Sequence, residues 1–438
     1  MVAFATLFLG LVAGSSSVSL IVGPAVAAVA IELDGRTIGT VSGPPWSARI
    51  DFGGQYLPHE LVAIAYDPEG QETGRARQWI NLPRPPAEVE ILLERDPSGR
   101  AVAARFVWGS LLSAQPEKLS VTFDGTPLVV DAGRRTELPL YEASLPHILS
   151  AELEFPGNLQ ARAAAVLGGG SADRAQTELT AIPVRVRKGN KPPPQARLEG
   201  AFLRRGAPVP IAAVERGRAR VVLVRDLGLQ EARARIGDRP RAMRGVGSPS
   251  GVIDSRVLLR LPSEDRVSIL WPIARPYIQK GVVAELFEGS RDFTPNEGGL
   301  HWLLTRISYS GGEAPPRRFT DATAVAGLNA FGSYARRAVV LVLGATSDDE
   351  SRHEPGMVRR YLESVRVPIH VWSLAGKKAK AAAQWENVRD ISSYFGLADA
   401  FDDLRQDLDT QWIVWLEGRH LPQEIALAPW VRDMELVD

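Results

Sequence analysis

The chain has 438 residues, with 51 Lys and Arg against 51 Asp and Glu and no cysteine. A net charge of zero without a basic block excludes nucleic-acid binding and polybasic membrane binding as leading functions, because both need a concentrated positive field. The lack of cysteine excludes disulfide frameworks, thiolate zinc sites and cysteine nucleophiles. The 40 glycines and 32 prolines indicate many turns, so we expect a β-rich chain of about three domains.

The amino terminus is apolar, and its first charged residue is Glu32. Residues 2–13 form an apolar run that is too short to span a bilayer as a helix and is typical of the core of a signal peptide. The sequence therefore predicts a signal segment over residues 1–17, an extracytoplasmic location (periplasmic or secreted) and no integral membrane span after its removal. The basic region that precedes such a core is missing, so a truncated start or a buried first strand is the alternative.

One pattern occurs twice in the first half of the chain. A strand that ends in Asp-Gly at residues 34–35 returns as a strand that ends in Asp-Gly at residues 124–125, and this dipeptide suits a tight hairpin turn. About 25 residues after each turn, a matching strand begins with His59 or His147. The repeat predicts two Ig-like β-sandwiches in which both histidines have a structural role at a turn.

The second half alternates short apolar strands with amphipathic helices. Residues 221–226 are an apolar run that ends at Asp226, which is typical of a buried parallel strand. A capping pattern from Thr294, with Pro295 at the first helical position and apolar residues at helical spacing through Ile307, predicts a helix. Strands that alternate with helices define a doubly wound α/β domain, in which ligands bind beyond the carboxyl ends of the strands.

The predicted fold is therefore multi-domain, with two Ig-like β-sandwich domains followed by a doubly wound α/β domain. The proline triplet at residues 192–194 favours an extended conformation and cannot lie inside a sheet, so we place the main boundary there. The predicted domains in chain order are a signal segment over 1–17, sandwiches over 18–84 and 85–187, a Pro-rich linker over 188–195, and the α/β domain with C-terminal strands over 196–438.

Short phrases of the second half share the pattern of one family; they are residues 221–226, 261–267, 336–344, 348–351, 367–371 and 411–414. Together they resemble a von Willebrand factor A domain of the bacterial A-domain-related group, which carries β-sandwich repeats upstream. The resemblance covers about residues 196 to 430 and the sandwich repeats. It implies a Rossmann-like domain that binds protein or matrix ligands, usually through a metal-ion-dependent adhesion site with an Asp-x-Ser-x-Ser loop, a threonine and a further aspartate.

The residues at the implied metal site depart from the family pattern. Asp226 matches the first aspartate, but Gly228 and Gln230 stand in the two serine positions. Arginines occupy residues 317–318 near the threonine position, and residues 343–344 replace the second acid. Mg²⁺ prefers hydroxyl, carboxylate and water oxygens, whereas glycine has no ligating side chain and arginine repels a cation. The resemblance with these departures implies a degenerate site without Mg²⁺ or another cofactor.

Two interpretations of the neighbouring polar residues stay open. In one, Thr320, Asp321, Asp348 or Asp349 reaches Asp226 from adjacent loops and completes a Mg²⁺ site. In the other, which we favour, residues 348–350 form a solvated acidic loop or a helix start. The predicted partner-binding residues on this surface are Asp226, Gly228, Gln230, Asp348 and Asp349.

The common enzyme motifs do not occur in the chain. It has no Gly-x-Ser-x-Gly elbow, no Gly-Lys-Ser/Thr phosphate loop and no His-Glu-x-x-His pair, and its six histidines are dispersed. The sequence predicts an exported, non-enzymatic protein of the adhesion type that binds a protein partner without metal. A structural or assembly scaffold is the main alternative. An unrecognised hydrolase is third, because a glycosidase-like carboxylate pair has no sequence signature.

Overall fold

The structure is a computed structural model that describes most of the chain, and the structural statements below concern this part. In it the strands form seven sheets, so the chain is β-rich and multi-domain, as predicted. Among the described residues, no helix combines the length and the apolar composition of a membrane span. The described residues are 2–6, 8, 10–83, 87–110, 115–143, 147–155, 159–168, 179–187, 191–192, 194–225, 232, 234, 236, 259–279, 282–294, 297, 299–307, 309, 316–332, 335–344, 348–375 and 380–438.

Seven strands build the first sandwich: β1 (Val2–Phe4), β2 (Ser15–Val22), β3 (Ala28–Leu33), β4 (Arg36–Val41), β5 (Ser47–Asp51), β6 (His59–Tyr66) and β7 (Glu72–Ile80). One sheet has the order β1-β2-β5 and the other the order β4-β3-β6-β7. Val18, Ile31 and Leu61 are fully buried in the core of this unit. Two antiparallel sheets with one shared apolar core are a β-sandwich.

The apolar amino-terminal run is part of this first sandwich. β1 pairs antiparallel with β2, with Val2 opposite Val22, and Val2 is 7% exposed. Phe8 and Val12 pack against the same core. In the structure, this run therefore supplies a strand and core residues of the first sandwich that lie before residue 18. Apolar composition does not separate a buried strand from a signal segment, because a sandwich core and a signal peptide both select it.

The second sandwich repeats this architecture with β8 (Ala87–Arg95), β9 (Ala101–Ser110), β10 (Lys118–Phe123), β11 (Thr126–Leu128), β12 (Arg135–Glu137), β13 (His147–Phe155) and β14 (Leu159–Leu167). Its sheets have the orders β11-β10-β13-β14 and β12-β9-β8. Phe106 and Leu149 are fully buried between them. The prediction of two sandwich units in the first half is confirmed at the level of strand pairing.

Both sandwiches carry the same aspartate–histidine turn. Asp34 Oδ2 lies 2.8 Å from His59 Nδ1, and Asp124 Oδ2 lies 2.6 Å from His147 Nδ1. In each turn, the other carboxylate oxygen accepts from the backbone N–H of the residue after the histidine, at 2.9 and 2.8 Å. Both aspartates have a positive φ, 53° and 48°, which aspartate tolerates better than most residues. The two histidines therefore hold equivalent turns, as the repeat predicts.

We expect the turn of the second sandwich to lose stability as the pH rises above about 6.5. Both ring nitrogens of His147 face acceptors, since Nε2 lies 3.0 Å from the carbonyl oxygen of Glu142, and this arrangement favours the cation. The hydrogen bond to Asp124 raises the pKa of His147 above its ordinary value of 6.5. The stabilisation is therefore complete below that value and is lost as the pH rises through the raised pKa.

The measurement is the ¹H–¹⁵N titration of the His147 ring together with the urea midpoint across this pH range. The control is Asp124→Asn, which removes the anion and should return the histidine pKa towards 6.5. An unchanged titration in this variant would contradict the account of the turn.

Four strands precede the α/β domain in the chain: β15 (Leu179–Val186), β16 (Phe202–Arg204), β17 (Ala207–Pro208) and β18 (Ile211–Glu215). The domain itself is built on a six-stranded sheet of β19 (Ala219–Arg225), β20 (Arg266–Gln279), β21 (Val282–Gly289), β22 (Arg336–Leu343), β23 (Ile369–Ser373) and β24 (Arg389–Asp390). The sheet order is β21-β20-β19-β22-β23-β24. Every pair is parallel except β20 with β21. All of β22 is buried, which explains its continuous apolar sequence after two arginines.

Helices cover both faces of this sheet, among them α1 (Leu300–Arg306), α2 (Phe319–Phe331), α3 (Pro355–Ser364) and α4 (Tyr394–Thr410). Residues of α1 and α4 share one apolar core with Trp372, and residues of α2 and α3 share another with Leu341. Helices on both faces of a mostly parallel sheet are the layer arrangement of doubly wound α/β domains.

The helix predicted from Thr294 begins later than expected. The capping contact exists, because Thr294 N–H donates to Glu297 Oε2 at 2.7 Å. The helix α1 nevertheless starts at Leu300, after Gly299 as its N-cap residue. Glycines occupy residues 298 and 299 in the sequence, and their conformational freedom disfavours an earlier helical start.

A third sandwich, which the sequence did not predict, is formed by β15–β18 with β25 (Gln411–Glu417), β26 (Ile425–Leu427) and β27 (Met434–Leu436). Its sheets have the orders β18-β25-β15-β27 and β17-β16-β26 around a core that includes Phe202 and Val414. The boundaries at residues 187 and 196 are therefore wrong. Strand β15 belongs to this unit, and the α/β domain is inserted between its two halves. Strand alternation identifies a strand but not its partner, and Thr180 bonds to Gly418, 238 residues away.

Candidate functional site

The candidate site lies where α2 begins, beside the loop that follows β22. Helices of a doubly wound domain run opposite to the parallel strands, so the amino terminus of α2 lies at the carboxyl edge of the sheet. The antiparallel hairpin β20–β21 extends past the residues that pair with β19, whose register ends at Leu270. Three parts of the α/β domain therefore meet at this edge.

Asp349 caps α2 from the neighbouring loop. Its Oδ1 accepts from the N–H of Phe319 at 2.9 Å and from the hydroxyl of Ser351 at 2.5 Å. Its Oδ2 accepts from the N–H and the hydroxyl of Thr320, at 3.1 and 2.5 Å. A carboxylate at this position satisfies the free N–H groups of the first turn and interacts favourably with the helix dipole. Asp349 and Thr320 thus hold the loop against the helix.

Asp321 lies on the first turn of α2 and is 5% exposed. Its Oδ2 accepts from Arg318 Nε at 2.7 Å and from the N–H of Arg352 at 3.0 Å, and its Oδ1 lies 2.7 Å from His353 Nδ1. Burial raises the pKa of Asp321, but these hydrogen bonds outweigh burial and keep the pKa below its ordinary value. Asp321 is therefore an anion held by three neighbours.

Arg318 connects Asp321 to the β20–β21 hairpin. Its Nη1 donates to Glu285 Oε2 at 2.6 Å, and the guanidinium lies 5.5 Å from the centre of the Phe287 ring. Arg352 reaches the other oxygen of Glu285 at 2.7 Å. The hydrogen bond from Arg318 is the largest cause that holds the pKa of Glu285 below its ordinary value. Two carboxylates and two guanidiniums therefore form one charge-balanced cluster.

Tyr56 of the first sandwich completes this network. Its hydroxyl is hydrogen-bonded to His353 Nε2, on the opposite side of the ring from Asp321. Tyr56 is 5% exposed and belongs to the apolar cluster of α2 and α3. Burial raises the pKa of this phenol well above its ordinary value, so the hydroxyl stays neutral. The contact links the first sandwich to Asp321 through a single imidazole.

Further contacts place the first sandwich against α3. The hydroxyl of Tyr361 donates to the carbonyl oxygen of Asn81 at 3.2 Å, and Arg360 Nε donates to Gln55 Oε1 at 2.9 Å. Leu11 and Leu82 pack against the apolar cluster of α2 and α3. The candidate site is consequently shared between two units of the chain.

The structure brings together only some of the residues predicted for this site. Thr320, Asp321 and Asp349 are adjacent, whereas Asp348 pairs with Lys380 at 3.1 Å with most of its side chain in solvent. Asp348 is therefore a solvated acidic residue, whereas Asp349 caps the start of α2. Asp226, Gly228 and Gln230 lie outside the described residues.

Sequence reasoning missed Tyr56 and Glu285 and counted His353 among the dispersed histidines. Tyr56 and His353 are 297 positions apart. Neither residue lies in a motif, and a local pattern carries no signal for a contact between two separately folded units. The hairpin position of Glu285 depends on how far β20 extends beyond its partner strand, which the sequence also did not indicate.

The described residues do not fit Mg²⁺ as they are arranged. Mg²⁺ needs oxygens that are free to ligate in octahedral geometry. The oxygens of Asp321 and Asp349 already accept hydrogen bonds, and the guanidinium of Arg318 places a positive charge against Asp321. In the described part of the chain, no group of three or more histidine or carboxylate side chains is placed to hold a metal ion.

No protein-family model matches the chain, and no curated protein matches it. Parts of it are similar to the fibronectin(III)-like modules of Clostridium thermocellum CbhA, with 20% identity, 18% of this chain and 93% of that chain covered, and a TM-score of 0.17. Other parts are similar to the central fibronectin-III array of RIM-binding protein, with 14% identity, 46% of this chain and 81% of that chain covered, and a TM-score of 0.22. A 1.5-MDa bacterial ice-binding adhesin is also similar, with 12% identity, 41% of this chain and 63% of that chain covered, and a TM-score of 0.15. At these TM-scores, the sandwich assignment rests on the strand pairing of this chain alone.

Proposed function

We propose that the chain is an extracytoplasmic, non-enzymatic protein of the adhesion type, with an α/β domain of the von Willebrand factor A kind that binds a protein partner without metal. The single observation that carries the metal-free part is the Arg318–Asp321 contact, in which a guanidinium occupies a carboxylate that a cation would need. The sheet order supports the domain assignment, because counting from β19 it is 3-2-1-4-5-6, the order of doubly wound domains.

The chemistry of the described network also favours binding over catalysis. Asp321, His353 and Tyr56 form a hydrogen-bonded series, which is the arrangement that activates a nucleophile when the terminal hydroxyl is accessible. Here the terminal hydroxyl belongs to a residue that is 5% exposed, and burial raises its pKa. Its hydroxyl fastens two units together, so the series supports a structural task.

The test of this proposal is partner capture by the purified chain on an array of immobilised matrix and cell-surface proteins, in Mg²⁺ and in EDTA. We expect a captured protein to bind equally in both buffers. Asp348→Lys reverses a charge on the exposed part of the site and should weaken that binding at least about tenfold. Lys118→Glu, on the second sandwich and similarly exposed, is the matched control that should have no effect.

Two results would contradict the proposal. One is binding that disappears in EDTA, and the other is turnover of members of an ester or glycoside library.

The second candidate function is an assembly scaffold, which the docking of the first sandwich through Tyr56 favours. In that case, Asp348→Lys would leave capture unchanged, whereas Tyr56→Ala would abolish it.

A further inference from the structure

We propose that the guanidinium of Arg318 is a built-in cation that takes the place of a divalent metal ion between Asp321 and Glu285. The inference rests on the proposed function, because it names the group that makes the site independent of metal.

The position of Arg318 makes it the bridge between the two carboxylates. Nε and Nη2 of Arg318 both lie 2.7 Å from Asp321 Oδ2, while Nη1 lies 2.6 Å from Glu285 Oε2. The Arg318 side chain is 13% exposed and that of Asp321 is 5% exposed, so water screens this contact poorly. The backbone N–H of Arg318 donates to the carbonyl oxygen of Pro272, which fixes the start of α2 against the β20–β21 hairpin.

Removal of this guanidinium would leave Asp321 and Glu285 without the cation that they share. Asp321 keeps its bonds to His353 and to the backbone of Arg352, but its buried negative charge loses its main counter-charge. Among the described residues, Glu285 keeps only Arg352, whose side chain is 65% exposed. Two carboxylates from different elements, one of them buried, would then lack the cation between them, and carboxylate oxygens are the ligands that a hard divalent cation prefers. The arginine and the cation therefore compete for the same function.

The experiment measures Mn²⁺ binding to the full chain by the loss of the free-Mn²⁺ paramagnetic resonance signal, together with the unfolding temperature. We expect Arg318→Ala to bind one Mn²⁺ per chain under conditions in which wild type binds none. Its unfolding temperature should be below that of wild type in EDTA and should rise when Mn²⁺ is added. Arg318→Lys keeps a positive charge and should bind no Mn²⁺. Arg352→Ala is the matched control, since it frees one oxygen of Glu285 but leaves Arg318 in place, and it should also bind none.

Arg318→Met removes the charge but keeps an unbranched apolar stem against Phe287. It is the second test variant in case the alanine variant does not fold. If Arg318→Ala is unfolded in EDTA, the proposal requires Mn²⁺ to restore its folded circular-dichroism signal. Folded alanine and methionine variants that bind no Mn²⁺, or an unfolded variant that Mn²⁺ does not restore, would overturn the inference alone. Mn²⁺ binding by wild type would instead contradict the metal-free site of the proposed function.

Discussion

Replacing Asp265 with alanine is expected to lower the free energy of unfolding by about 3 to 5 kcal/mol, because the change leaves a buried charge without its partner. Asp265 is fully buried, and its Oδ1 accepts from the N–H of Ala219 at 2.6 Å and from Arg336 Nη2 at 3.1 Å. Arg336 is 1% exposed and also donates to the carbonyl oxygens of Gly217 and Leu408. The pair therefore connects the first strand of the inserted α/β domain, β19, with the end of its last helix, α4.

A double variant separates the charge effect from the loss of packing. Arg336→Met in the Asp265→Ala background removes the orphaned cation, so we expect it to recover much of the lost stability. Urea denaturation with global fitting of the transition measures both changes. A loss of less than about 1 kcal/mol in the single variant would show that the pair is not the buried anchor that its geometry indicates.

Replacing Tyr56 with alanine is expected to cost about 3 kcal/mol or more and to loosen the first sandwich from the α/β domain. The ring is buried in the cluster of α2 and α3 and lies 4.8 Å from the His353 ring, with Tyr361 at 6.4 Å. Tyr56→Phe removes only the hydroxyl and should cost about 1 kcal/mol. The comparison thus separates packing from the hydrogen bond to His353.

Hydrogen–deuterium exchange provides the local measurement for this second prediction. In Tyr56→Ala, we expect faster exchange at the start of α2 and in residues 52–58, because the imidazole that connects them loses its partner. Exchange in the second sandwich should not change, which makes it an internal reference. Unchanged exchange at α2 in a variant of reduced stability would contradict the coupling of the two units through His353.

Local sequence patterns predicted the sandwich repeat and strands of the α/β sheet. The Asp-Gly turns at residues 34–35 and 124–125 predicted equivalent hairpins, and the histidines that follow them make equivalent contacts. The apolar run that begins at residue 221 predicted a buried parallel strand, and β19 is such a strand at the centre of the sheet. These features depend on neighbours in the chain, so the sequence alone is sufficient to predict them.

The missed features depend on contacts between distant segments. The third sandwich exists because β15 pairs with β25 and β27, and no spacing in the sequence specifies that choice. At the start of β22, Arg336 and Arg337 are each 1% exposed and bind carbonyl oxygens of α4 and α2 at Leu408 and Phe331. Cations stabilise helix carboxyl termini, but two arginines before a strand resemble an ordinary polar boundary in the sequence.

The most direct test of a metal-free site is thermal unfolding of the chelated wild-type chain during titration with Mg²⁺, Mn²⁺ and Ca²⁺, beside Asp226→Ala. A ligand that binds only the native state must raise the unfolding temperature, so a metal site would be visible without knowledge of the partner. We expect no shift with any of the three ions in either protein. A shift in wild type that Asp226→Ala abolishes would contradict a metal-free site and would make metal-bridged adhesion the mechanism.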